Sequence, residues 1–174
     1  MLGQNSTVST TLPALPSNNF HLHFVIKPID GFGGIEAMLG TNQTNSSFCN
    51  LTGGYGVIFG GSSNTVTTVV RNGCNTIGSF TQNSTFSVDG STPFSVDFIK
   101  NGTSLTLMAN GITLINATDA SPLSISSAGL KLAFSSIAGG FIVSDLRVTN
   151  PTQTAYTQYP TASTFNIVTQ SLSL

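Results

Sequence analysis

Apolar and more polar residues alternate along much of the chain, and the clearest run is FHLHFVIKPI, from Phe20 to Ile29. A period of two is typical of a β-strand with one face buried. We predict that this stretch is the strand with which the folded core begins.

The same alternation recurs to the end of the core, and helical periodicity of useful length is absent. A short strand is predicted at Ile35–Leu39, and later strands are predicted around TVTTVVR, FSVDFIK, SLTLMA and ITLINA. The apolar positions expected to point inward or to define these strands are Tyr55, Val57, Phe59, Val66, Val70, Phe94, Val96, Phe98, Leu105, Leu107, Ile112, Leu114, Leu130, Leu132, Phe134, Phe141, Val143, Leu146 and Val148.

Three Asn-Gly pairs separate predicted strands: Asn72-Gly73, Asn101-Gly102 and Asn110-Gly111. This dipeptide favours type I′ turns, whose twist matches that of paired antiparallel strands. We therefore predict hairpins, a meander and an all-β fold.

Charge is scarce, since only 6% of the 174 residues are Asp, Glu, Lys or Arg and the formal net charge is −1. An ordinary domain has about 25%. The five basic residues are scattered singly, which argues against nucleic acid as a partner. No apolar run is long enough to span a membrane. Few carboxylates also make an acidic medium plausible, although a sugar-coated secreted protein has equally little need of charge.

Export is indicated by sequons and cysteines. N-x-Ser/Thr sequons are frequent. We predict one disulfide between Cys49 and Cys74, with two free buried thiols as the alternative. No signal peptide is visible, and we expect it to have been removed. The sequons lie at Asn5, Asn42, Asn45, Asn50, Asn83, Asn101 and Asn116.

The two ends of the chain are set apart from the core, so we divide the chain into an N-terminal extension (1–19), a sandwich (20–150) and a C-terminal strand extension (151–174). In the first extension Val8, Thr10, Leu12 and Ala14 share one face. Nearby prolines cannot donate ladder hydrogen bonds, so this segment is predicted to be an edge strand or one added to another subunit. A disordered tail is the alternative, and the sequence does not decide which extension is exchanged.

Four stretches resemble the concanavalin A-like or laminin G-like jelly roll: the opening F-x-L-x-F, YGVIF, PFSVDFIKNGTSLTLMANG and the closing GGFIVSDLRVT. The resemblance covers about three-quarters of the chain, from Phe20 to Thr149, and implies an antiparallel β-sandwich. These motifs are strand patterns and contain no site residues.

Catalytic chemistry is not indicated. A glucanase of this fold needs paired carboxylates, whereas Glu36 is the only Glu and the aspartates are isolated in sequence. We predict no cofactor. The alternative is a calcium ion bound by Asp89 or Asp119 together with nearby Asn side chains. His21 and His23 offer two imidazoles on one strand face, but no third ligand is evident, so we predict no metal site.

Dense sequons, low charge and a strand-like extension resemble the glycosylated archaeal thread filaments, whose subunits assemble by donor-strand complementation. The resemblance implies a non-enzymatic extracellular filament subunit at the cell surface, which polymerises with its own copies and serves adhesion or cell-cell contact. The alternative is a secreted carbohydrate-binding module of concanavalin A-like type, with glycans as partners. It is weakened by the absence of Trp and by only three tyrosines, Tyr55, Tyr156 and Tyr159.

Overall fold

The computed structural model describes residues 7–11, 18–29, 33–42, 52–60, 65–72, 75–125, 131–138 and 140–151. Regular structure in these ranges consists of strands, and none of it is helical. The strands are β1 (Thr7–Thr11), β2 (Phe20–Pro28), β3 (Gly34–Asn42), β4 (Thr52–Gly60), β5 (Val66–Arg71), β6 (Asn75–Thr81), β7 (Phe94–Asn101), β8 (Ser104–Ala109), β9 (Ile112–Thr118), β10 (Lys131–Ala138) and β11 (Phe141–Thr149).

The strands form two antiparallel sheets, which confirms the predicted all-β sandwich. The larger sheet has the order β1-β10-β3-β4-β5-β6, and the smaller has the order β11-β2-β7-β8-β9. Strands β7, β8 and β9 follow one another as the predicted meander. Each sheet buries the apolar positions of its period-two pattern against the other sheet.

The core between the sheets is rich in phenylalanine. In β2 the side chains of Phe20, Leu22, Phe24 and Ile26 are all buried, as the alternation predicted. Edge-to-face ring pairs cross the core, with centroids 5.2 Å apart for Phe24 and Phe134. Such pairs add about 0.5–1.5 kcal/mol each beyond the burial of their area.

Strand β1 pairs with β10 of its own chain, from Thr7 opposite Ser135 to Thr11 opposite Lys131. Of the predicted donor positions, Val8 and Thr10 therefore lie in an edge strand of their own chain's sheet. This is the first of the two predicted arrangements, an edge strand rather than a strand added to another subunit. Exchange between subunits is not supported by this pairing. Leu12, Ala14, the cysteines Cys49 and Cys74, the sequons Asn5, Asn45 and Asn50, and residues 152–174 lie outside the described residues.

Four details differ from the predictions. In β5 the core residue is Val69, whereas Val66 is only partly buried and Val70 lies on the opposite side of the strand. Ile112, at the start of β9, is 37% exposed. Leu114 is buried as predicted, and a register shift between Leu107 and Met108 accompanies the burial of its neighbour Ile115 as well. Leu146 is only partly buried, because it lies in a second bulge. Strand β6 was not predicted.

The Asn-Gly turns also differ from one another. Both residues of Asn110-Gly111 have positive φ, 50° and 76°, as a type I′ turn requires. In the second pair only Gly102 does, with a φ of 58°. Asn101 remains in β7, opposite Ser104, so Gly102 and Thr103 form the two-residue turn.

A membrane-spanning helix is not found in the part of the chain that the structure describes.

Candidate functional site

Ionisable side chains concentrate on the outer face of the smaller sheet. The chain has five Lys and Arg, six Asp and Glu, and two His. Both histidines and three other charged residues meet on this face. We call the group the histidine face, and its members are His21, His23, Asp97, Asp145 and Arg147.

The strand register brings the histidine face together. His23 of β2 lies opposite Asp97 of β7 on one side and Arg147 of β11 on the other. His21 is two residues from His23 and therefore points to the same side of the sheet. Since Phe20, Leu22 and Phe24 occupy the core side, these polar groups must face outward.

Asp97 is the centre of the cluster. Its Oδ1 accepts hydrogen bonds from His21 Nε2 and from His23 Nδ1, each 2.7 Å long. Partial burial acts to raise the pKa of Asp97, but the hydrogen bonds and positive charge of the two imidazoles outweigh it and hold that pKa below its usual value. Both bonds end on Oδ1, which leaves Oδ2 to a ligand.

A β-bulge adds Asp145 to the group. The pairing of β11 with β2 shifts between Ser144 and Arg147, and Asp145 within the shift has a φ of 51°. Its Oδ2 lies 3.4 Å from His23 Nε2. The guanidinium of Arg147 donates to both Asp145 oxygens, over 2.6 to 2.8 Å, and so fixes the carboxylate.

A second polar cluster is buried at one end of the core. The Tyr55 hydroxyl and Arg71 Nη1 each donate to the Asp119 carboxylate over 2.8 Å. The Tyr55 oxygen in turn accepts a bond from the amide of Leu123, at 2.7 Å. This network attaches the segment after β9 to β4 and β5 of the other sheet, so its role is structural.

The two aspartates considered for calcium are already occupied by groups of the protein. Asp119 faces a guanidinium, which repels a cation. Asp89 accepts bonds from the amides of Ser91 and Thr92, at 2.8 and 2.7 Å, as turn aspartates commonly do.

Burial of Tyr55 makes the folding stability depend on pH in the alkaline range, which can be tested. Its pKa is raised to about 12, chiefly by removal of the hydroxyl from water and further by Asp119, while the Leu123 amide and Arg71 act in the other direction. A raised folded-state pKa stabilises the protein below the unfolded value of about 10 and loses that stabilisation as pH rises through the folded value.

We therefore expect the unfolding free energy of the wild type to fall between about pH 10 and about pH 12 by on the order of 2 kcal/mol more than that of Tyr55→Phe. Urea unfolding of both proteins across this range measures the difference. Parallel curves would contradict the assignment.

At the centre of the larger sheet, in β3, β4 and β5, outward side chains are buried, unlike those of the histidine face. Glu36, Met38, Ile58 and Val70 alternate with core positions, yet all four are buried. Tyr55 lies in the core between the two sheets and is fully buried, so its ring cannot stack on a sugar. Among the described residues, the histidine face is where accessible ionisable side chains meet in a cluster.

Comparison with solved structures agrees on the fold. No family model and no curated protein matches the sequence. A protein of unknown function from Bacillus subtilis with a galectin-like fold superposes with a TM-score of 0.63 at 9% identity, covering 86% of this chain and 80% of the other. This chain has the galectin-like β-sandwich fold.

Two further neighbours of this fold are described as binding carbohydrate. The carbohydrate-binding module CBM66 from Bacillus subtilis has a TM-score of 0.56 at 12% identity, covering 84% of this chain and 83% of the module. The exoplasmic/lumenal domain of VIP36, in a form bound to Ca²⁺ and Man3GlcNAc, has a TM-score of 0.61 at 11% identity, with 91% and 81% coverage.

The sequence showed part of this site. It identified the two imidazoles of one strand face but found no third ligand for them, so it predicted no metal site, and it treated Asp97 as an isolated carboxylate. The structure places Asp97 within β7, in contact with both histidines. Aspartate in an otherwise alternating strand was the signal, but its partner depends on strand order.

Four of the predicted sequon asparagines lie in the part of the chain that the structure describes. Asn83, Asn101 and Asn116 are exposed. Asn42 ends β3. Their glycosylation, and that of the remaining sequons, stays a prediction.

Proposed function

We propose that this chain is an extracellular, non-enzymatic carbohydrate-binding module that holds its glycan against the histidine face. The observation that carries the proposal is the accessible cluster of fixed donors and acceptors around Asp97, on a fold whose solved neighbours include carbohydrate-binding domains. Extracellular placement is supported by the predicted sequons and disulfide.

The chemistry of the histidine face suits sugar hydroxyls. Hydroxyl groups need acceptors such as Asp97 Oδ2 and donors such as imidazole and guanidinium groups. His21 and Asp97 are 33% and 22% exposed, so they are accessible to solvent but still held by neighbours. Ser95 and Thr149 flank the cluster on β7 and β11 and widen its polar surface.

Recognition at this face would rest on hydrogen bonds. Tyr55 is buried, so a sugar ring cannot stack on its side chain. Tyr156 and Tyr159, the other two tyrosines, lie outside the described residues. Bonds to charged groups contribute about 1.5–3 kcal/mol each, so a few of them suffice for weak, specific binding.

Substitution of Asp97 tests the proposed location. We expect Asp97→Ala to weaken binding to an immobilised glycan recognised by the wild type by at least about tenfold, since it removes a charged acceptor. Asp89→Ala is the matched control, because Asp89 bonds only within its own turn among the described residues. Wild-type affinity in Asp97→Ala, with circular dichroism showing both variants folded, would place glycan binding elsewhere.

A filament subunit is the second candidate function. It starts from β1, a short strand at the edge of the larger sheet. The structure pairs β1 with β10 of its own chain, and a filament would require the same pairing to be made between copies. On this function, deletion of residues 1–17 leaves a monomer. Filaments that persist after the deletion, seen by electron microscopy, would contradict it.

A further inference from the structure

We infer that His21, His23 and Asp97 form a binding site for a divalent transition-metal ion, with zinc as the ion that the donor set fits best. The inference goes beyond glycan binding and does not depend on it. Among the described residues, these three bring a possible ligand atom each to within 4.8 Å of one another.

The donor set determines the kind of ion. Two imidazole nitrogens and one carboxylate oxygen suit zinc, and three protein ligands with one open position are typical of zinc sites that bind a further molecule. Calcium and magnesium prefer oxygen ligands throughout. The three side chains are partly exposed, which allows the ion to enter and leaves its fourth position to water or another ligand.

The distances require only a small rearrangement. Each imidazole nitrogen is now 2.7 Å from Asp97 Oδ1, joined to it by a hydrogen bond. Zinc ligands at about 2.0–2.2 Å from a tetrahedral ion lie about 3.3–3.6 Å from each other. Each imidazole nitrogen therefore needs to move away from Asp97 Oδ1 by roughly 0.6–0.9 Å around the entering ion, a distance that side-chain rotation supplies.

A bound metal ion would take the place of the protons that now join the two imidazole rings to Asp97. In the metal-free protein His21 Nε2 and His23 Nδ1 each donate to Asp97. On zinc binding each of these nitrogens gives its lone pair to the metal, and the displaced proton goes to the other nitrogen of the ring or, where that nitrogen already carries one, to solvent.

For His23 the other nitrogen already has a recipient. Its Nε2 lies 3.4 Å from Asp145 Oδ2, and Arg147 holds that carboxylate. A carboxylate behind a ligating histidine is the usual support of zinc-bound imidazole. The bulge in β11 that gives Asp145 its positive φ thus supplies the outer partner of the site.

The histidine rings provide a direct readout, because His21 and His23 are the only histidines in the chain. Zinc chloride is titrated into the full chain, free of any histidine tag and stripped with a chelator, and the ring proton resonances are followed by NMR. We expect one ion per chain and shifts of both rings, reversed by chelator. Calcium chloride should shift neither ring.

Variants separate the site from adventitious binding. We expect His21→Gln and Asp97→Asn to abolish stoichiometric zinc binding and Asp145→Asn to weaken it about 10- to 100-fold, with Asp89→Asn unchanged. Shift of a single ring, or equal zinc affinity in Asp97→Asn and the wild type, would overturn the inference. No sugar is present in this titration, so its failure leaves the proposed glycan binding untouched, and a failed glycan assay leaves the zinc site untouched.

Discussion

Replacement of Asp119 by alanine is expected to lower the free energy of unfolding by about 3 kcal/mol. Asp119 is 3% exposed and accepts bonds from Tyr55, from Arg71 and from the amide of Ser121, at 2.8, 2.8 and 3.0 Å. Removing it leaves a buried hydroxyl without its acceptor and a half-buried guanidinium without its counter-charge. A buried pair broken from one side costs more than the pair contributed, because the remaining group stays out of water.

Asp89→Ala is the control for this prediction. Both aspartates accept the amide two residues ahead, Ser121 for Asp119 and Ser91 for Asp89, so both close the same kind of turn. Asp89 is exposed, and its loss should cost far less than that of Asp119. Urea unfolding of the two variants beside the wild type measures the contrast, and similar midpoints for both would show that the buried network contributes nothing beyond the turn.

The second large effect is expected from Gly54→Ala. A methyl group built on Gly54 would lie 2.2 Å from the carbonyl oxygen of Leu39 and 2.4 Å from the Cα of Gly40. These are backbone atoms of β3, the neighbouring strand in the middle of the larger sheet. They cannot move without breaking the hydrogen-bond ladder between β3 and β4, in which Gly40 lies opposite Gly54. We expect destabilisation of about 3 kcal/mol or more.

Gly56→Ala, on the same face of β4, is the control. Its methyl group would meet Met38 Cγ and the Ala37 oxygen at 3.1 Å, distances that a shift of a few tenths of an ångström relieves. Its cost should stay near 1 kcal/mol, roughly the low end for overpacking. Thermal unfolding of both variants tests the difference. An unaltered melting temperature for Gly54→Ala would mean that β3 and β4 are not packed as closely as described.

Strands with a clean alternation could be predicted from the sequence, because one buried face leaves a period-two record in the chain. β2 and β7 are of this kind. β6 carries no such record, since most of its residues are partly or fully exposed. Its place depends on tertiary packing: a methyl group on Gly78 would lie 2.6 Å from Ile115 of β9, across the open side of the sandwich.

The candidate site could be predicted only in part for a similar reason. Two histidines at i and i+2 are visible in any reading of the chain. Asp97 joins them from 74 residues away through the order of the strands, and Asp145 joins them through a bulge. The Tyr55–Asp119 pair spans 64 residues in the same way. Local patterns give the faces of strands, whereas partners across strands follow from topology.

Glycan binding by the wild-type chain is the central claim, and a glycan array tests it most directly. The purified chain, treated with a glycosidase so that any glycans at the predicted sequons do not compete, is applied with and without added zinc. We predict reproducible binding to a restricted set of glycans that is lost in Asp97→Ala and kept in Asp89→Ala. Absence of binding to every glycan in both conditions, by protein shown to be folded, would contradict the claim.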